Sequence, residues 1–145
     1  MRGEAAFRLE QFQDHLAFER GLAERTLAAY RRDLDGFVAH LRTKGVEAPG
    51  DTTAEHVRGW IYHLRGRGLA AASIRRAQSS LRTYFAFLLA EGVVDAISRL
   101  KPDRPIVTCI RGTNEEGAVE ILKKAGLEPI FDTEEAVRRA VAIAA

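Results

Sequence analysis

Six arginines stand in an interval that holds no acid. From His56 to Ala90 there is no Asp or Glu, and the charged residues are Arg58, Arg65, Arg67, Arg75, Arg76 and Arg82. A guanidinium presents a planar fork of donors. That fork matches the paired acceptors of a phosphate or a guanine edge better than an ammonium does. Net charge is only +2, so the distribution rather than the sum points to a polyanionic partner. Arg75, Ser79 and Arg82 fall at i, i+4 and i+7 and share one side of a helix. Arg76, Ser80 and Thr83 flank them. A face of this kind carries charge and hydroxyl donors without large apolar groups. Laid in a major groove it reaches phosphates and base edges. An ordinary solvated helix face has the same make-up, and spacing alone does not choose between the two.

Other chemistries find less support. Cys109 is the only cysteine, so neither a disulfide framework nor a cysteine-based zinc site is expected, and a reducing cytoplasm is the default compartment. Gly66-Arg67-Gly68 has no strand before it, so it reads as a helix stop and not as a nucleotide loop. No metal or cofactor is expected. Apolar content of 46% with 29% charged residues fits a globular protein. No apolar run has the length to cross a bilayer, and residues 1–10 lack the layout of a signal peptide.

These side chains need helices to position them. Leu9, Phe12 and Leu16 recur at helical spacing, and Leu27, Tyr30, Leu34, Phe37, Val38 and Leu41 do so more strongly. Gly21 separates the two runs, and a cap for the second is expected within Glu24–Thr26. Gly45 and Pro49-Gly50 end that helix. Thr52 or Thr53 caps a third, with Val57, Trp60, Ile61 and Leu64 as its stripe. The fourth is predicted over Ala71–Glu91, with Ile74, Ala77, Leu81, Tyr84, Phe85 and Leu88 inward. Four such stripes can close a small bundle. The pattern changes after Gly92. A short helix is expected over Val93–Leu100, strands at Ile106–Ile110 and Pro129–Phe131, and helices at Asn114–Ala125 and after Thr133, with Val137 and Val141 inside. A β-α-β-α order belongs to a parallel sheet. The fold class is thus α+β: a four-helix bundle over 1–92, then a small β-α-β-α element over 93–145.

Two separated patterns carry a resemblance. They are T-L-x-A-Y-x-x-D-L at Thr26–Leu34 and S-x-x-R-x-x-S-x-L-R-x-x-F from Ser73. The stretch Leu9–Glu91 resembles the core-binding, SAM-like domain of tyrosine recombinases of the Xer and phage-integrase type. The resemblance implies a helical domain that clamps one side of duplex DNA through its second and fourth helices. By position it implies contacts from Thr26, Tyr30, Arg31, Ser73, Arg75, Arg76, Ser79 and Arg82. Tyr30 also fits the apolar stripe, where a core role competes. The family's catalytic signature, H-x-x-R followed by a tyrosine nucleophile, is absent. None of His15, His40, His56 and His63 has arginine three residues on, and Tyr30, Tyr62 and Tyr84 all lie within the helical stretch. No catalytic residue is assigned, and the chain is not expected to act as an enzyme.

The remainder resembles something else. R-G-T-N-E-E-G at Arg111–Gly117, followed by I-L-x-x-A-G-L, is similar to the end of the succinyl-CoA synthetase β-subunit and related acyl-CoA ligases. That implies the last part of a flavodoxin-like domain, without its ATP-grasp partner. Arg111, Gly112, Thr113 and Asn114 at a helix start suit an anion, but Glu115 and Glu116 would repel a phosphate, so a capped helix is the expectation. The reading is a non-catalytic duplex DNA-binding module joined to a structural or dimerising element, in the cytoplasm and off the membrane. Two alternatives stand beside it: a chimera, engineered or accidental, used only as a scaffold, and a ligand or interface fragment derived from a CoA ligase.

Overall fold

The computed structural model describes residues 6–103, 105–110 and 115–144. Contacts divide the chain into one unit of residues 1–81 and another of residues 82–145.

The first unit opens with α1 (Leu9–Asp14), which widens into a π-helical stretch at His15–Glu19. Leu9, Phe12 and Leu16 are buried, as their spacing requires. Helix α2 (Glu24–Thr43) buries Leu34, Phe37, Val38 and Leu41. Its start differs from the expected cap. The cap residue is Ala23, which offers no side-chain bond, and Glu24 already lies in the helix. An acid in the first turn favours the positive helix end without a polar cap.

Helix α3 (Ala54–Gly66) begins at Thr53 with a reciprocal cap. The His56 amide donates to Thr53 Oγ1 at 3.3 Å, and the Thr53 amide donates to His56 Nδ1 at 3.1 Å. A histidine here does the work usually given to Glu or Gln. At the other end Gly68 adopts φ +75. The Leu69 amide then donates to the Leu64 carbonyl at 3.3 Å, closing the last turn. Helix α3 lies close on α2 because Gly36 has no side chain. A Cβ there would meet Trp60 Cη2 at 2.8 Å. Trp60 is buried and its ring centroid lies 6.3 Å from that of Phe37.

Helix α4 runs from Ala71 to Leu100 without a break, in place of the two helices expected around Gly92. A glycine in a helix interior costs about 1 kcal/mol against alanine. Burial of Phe87 and Ala90 in the preceding turn outweighs it. The stop comes at Lys101, with φ +42, directly before Pro102. The buried side of α4 is also rotated from the expected one. Ser80 and Thr83, expected on the wet face, are buried, and Phe87 and Ala90 replace the half-buried Phe85 and Leu88. Ser80 tolerates full burial because its Oγ donates to the Ala77 carbonyl at 2.8 Å.

In the second unit β1 (Thr108–Cys109) and β2 (Pro129–Ile130) pair in parallel, Thr108 opposite Pro129 and Cys109 opposite Ile130. Both are shorter than the apolar runs that contain them. Helices α5 (Glu115–Lys124) and α6 (Thr133–Ala144) follow the two strands. Helix α6 packs on both strands and α5 on β2. The observed class is α+β, mostly helix with one small sheet. Two details of α6 differ from expectation. Asp132, not Thr133, supplies the cap, its Oδ1 accepting from the Glu135 amide at 2.9 Å. Ala136 is its buried residue, while Val137 and Val141 are 58% and 63% exposed. So narrow a sheet covers only a thin line of the helix, and the small side chain takes it. The stretch Arg111–Asn114, considered above for an anion, lies outside the described residues. Among the described residues no helix is long and apolar enough to cross a membrane.

Candidate nucleic-acid interface

The two sequence patterns meet in space. Asp33, from the first, accepts hydrogen bonds from Nε and Nη2 of Arg76, from the second, both at 2.9 Å. This is the two-pronged guanidinium–carboxylate geometry, stronger and more directional than a single contact. The Asp33 side chain is 10% exposed and that of Arg76 41%. The hydrogen bond to Asp33 raises the Arg76 pKa against the opposing effect of burial. Farther along, Tyr30 Oη lies 3.3 Å from Ser79 Oγ. Because Tyr30 faces Ser79 while Asp33 faces Arg76, α2 and α4 run antiparallel along this side, tied by two polar links.

The eight expected contact residues divide by what they already do. Arg76 and Tyr30 join α2 to α4. Tyr30 is half-buried, with its hydroxyl on Ser79. Arg31 pairs along its own helix through Nε, at 2.9 and 3.2 Å from the two oxygens of Asp35. Thr26 and Ser73 are half-buried in the first turns of α2 and α4. Arg75 and Arg82 are exposed and have no side-chain hydrogen bond or ion pair among the described residues. They flank Ser79 along α4. The arrangement leaves two unspent guanidiniums on α4, and α2 braces that helix at Arg76 and Ser79. Sequence reasoning missed the brace. Asp33 stood in one pattern and Arg76 in the other, and their opposite charges were the available signal.

A second cluster escaped notice as well. Across α2 and α3 the His63 ring stacks on Trp60 with centroids 5.5 Å apart and planes at 20°. The His40 ring lies 5.5 Å from Trp60 and 5.7 Å from His63. Burial first, then His63, Lys44 and His56, lower the His40 pKa from its ordinary 6.5. Folding therefore favours neutral His40, and the unfolded chain binds the extra proton. Stability from this group is complete above pH 6.5 and is lost as pH falls through the lower folded value. Chemical denaturation from pH 8 to pH 5 should thus show an acid-side loss that H40Q reduces. An equal loss in both proteins would remove His40 as its cause.

A family model described as phage integrase, N-terminal SAM-like domain, matches residues 9–92, more than half of the chain. The chain belongs to this family. Its helices α1, α2 and α3 and most of α4 lie in the matched span. This SAM-like chain is similar to tyrosine recombinase XerD from Rhizobium meliloti, at 39% identity over 59% of the chain and 27% of that relative. It is similar to XerD from Brucella suis, at 33% identity over 86% of the chain and 40% of the relative. A different relative is a subunit of ADP-forming sulfoacetate-CoA ligase from Acholeplasma, 71% identical over 59 residues, which are 41% of this chain and 15% of that one. The chain therefore spans well under two thirds of each of these relatives. No solved structure matches it.

Proposed function

We propose that this chain grips duplex DNA with the α2–α4 side of its recombinase-type SAM-like domain and does not itself cut or join strands. The observation that carries the reading is the pair of exposed guanidiniums, Arg75 and Arg82, left without partners among the described residues on α4 within the matched span and so available to phosphate or base edges. Arg31, Ser79, Thr26 and Ser73 complete the contact set, and Arg76 serves mainly as a brace that keeps Nη1 available. The domain extends over residues 1–92 in this reading, and its compartment is the cytoplasm. A mixture with nicked duplex should retard the DNA on a native gel and leave no covalent protein–DNA product on a denaturing gel. An adduct through Tyr30, Tyr62 or Tyr84 would refute the non-catalytic part, and free duplex at low salt would refute the rest.

The remainder, residues 93–145, we read as the end of a flavodoxin-like domain of acyl-CoA ligase descent, retained as an interface and not as a catalyst. The short ligase match supports this descent. The two short strands among the described residues make a sheet that is marginal alone, and its outer edges offer backbone groups to another chain. Exposed Val137 and Val141 on α6 add apolar surface. Pairing across a two-fold axis would make a dimer and join two DNA grips into one bivalent grip. Light scattering decides this: a monomeric mass at high concentration rules the dimer out.

A further inference from the structure

The groove between α2 and α3 has a make-up that the DNA-binding reading leaves unexplained. It is lined by Gly36, His40 and Lys44 of α2 and its C-terminal end and by Trp60, His63 and Arg67 of α3 and its C-terminal end. No acid is among its lining residues. Trp60 is 4% exposed, yet its Nε1 has no hydrogen-bond partner, and the buried Nε2 of His40 has none either, among the described residues. An indole N–H can only donate. Buried polar nitrogens left without partners are rare because the lost hydration is not replaced, and Nε2 of His40 donates in the tautomer that carries its proton. Basic residues at helix C-termini are favourable in themselves, which accounts for Lys44 and Arg67 at the ends of α2 and α3. It does not account for the two unpaired nitrogens on residues that line the groove.

We propose that this groove binds a phosphate group, which accepts from Trp60 Nε1 and His40 Nε2 and is flanked by Lys44, His63 and Arg67. A metal cation fits worse. It would find two imidazoles, no carboxylate and two permanent positive charges. An anion meets complementary charge and satisfies both orphan nitrogens. The site also has a predictable pH response. His63, Lys44 and His56 disfavour a charged His40, together with its burial. A bound anion of constant charge reverses that balance, so its binding takes up a proton and tightens as pH falls. The site stands independently of the proposed DNA-binding face.

The test uses the intact chain and inorganic phosphate, with sodium chloride balancing ionic strength. Trp60 is the only tryptophan, so its fluorescence reports on the groove alone. The expected result is a saturable change with phosphate and with sulfate but not with chloride, and the affinity for sulfate, which does not titrate in this range, tightens severalfold from pH 7.5 to 6.5. K44Q/R67Q, at two exposed positions, should weaken binding about tenfold with an unchanged circular dichroism spectrum. No saturation, an equal response to chloride, a sulfate affinity that does not tighten, or an unaffected double variant would overturn the proposal. A short duplex separates the two sources of phosphate. Competition between duplex and phosphate for the Trp60 signal assigns the site to DNA backbone. Duplex that leaves the Trp60 signal and phosphate binding unchanged assigns it to a free or small-molecule phosphate.

Discussion

Replacing Arg75 and Arg82 together by alanine is expected to weaken duplex binding by on the order of 100-fold at low salt. Each arginine is an exposed cation with no partner of its own among the described residues, so its removal takes away contact without disturbing the fold. A guanidinium on a base edge is worth roughly 1–3 kcal/mol, and one on phosphate lowers the salt slope by about 1 when lost. The thermal midpoint should stay within a degree or two of the parent, since surface changes away from structural contacts shift stability by no more than about 0.5 kcal/mol. R138A/R139A on α6 serves as the charge-matched control. Equal losses in the two double variants would mean that only net charge matters. Unchanged binding in R75A/R82A would remove α4 from the interface.

The Asp33–Arg76 pair should behave in the opposite way. Exposed pairs contribute roughly 0–1 kcal/mol, whereas breaking a buried one costs about 3–5. Here Asp33 is nearly buried and Arg76 is 41% exposed, so screening discounts the upper figure, and D33A is expected to cost about 2 kcal/mol. For a chain of this size that lowers the thermal midpoint by on the order of 8 °C. D33A also frees a guanidinium and deletes a negative charge from the proposed DNA face. Affinity should therefore hold or rise while stability falls. A double-mutant cycle with R76A isolates the pair, and a coupling energy near zero would show that the two side chains do not brace the helices. Affinity falling in step with stability would place Asp33 in DNA contact or in positioning Arg75.

Much of the helical part was legible because its signals were redundant. In α2, apolar period, length and the Gly45 stop agree, and Leu34, Phe37, Val38 and Leu41 are buried as the period demands. The helix stop at Gly68 followed from turn chemistry alone. What misled was a local feature overruled by its surroundings. Gly92 looked like a terminator, but a single glycine is a weak breaker when no proline follows before Pro102. Ser80 and Thr83 looked wet because hydroxyls usually are, yet a bond to the preceding turn lets Ser80 go inside. Val137 and Val141 looked buried because they are apolar, but the sheet is too narrow to cover them. The arginine side of α4 was legible as composition. Which arginines are spent was not, because Arg76 finds its acid 43 residues away in sequence.

Salt dependence of duplex binding tests the central claim most directly. Lys and Arg that neutralise phosphates release counterions, so the affinity falls by roughly 0.9 log unit per log unit of salt for each phosphate met. Fluorescence anisotropy with a labelled duplex, from 50 to 200 mM salt, gives that slope. If Arg75 and Arg82 act with Arg31 on the backbone, the slope lies between about 2 and 3 and drops by about 2 in R75A/R82A. A parent protein whose binding does not change with salt, or whose slope survives in R75A/R82A, would contradict the account.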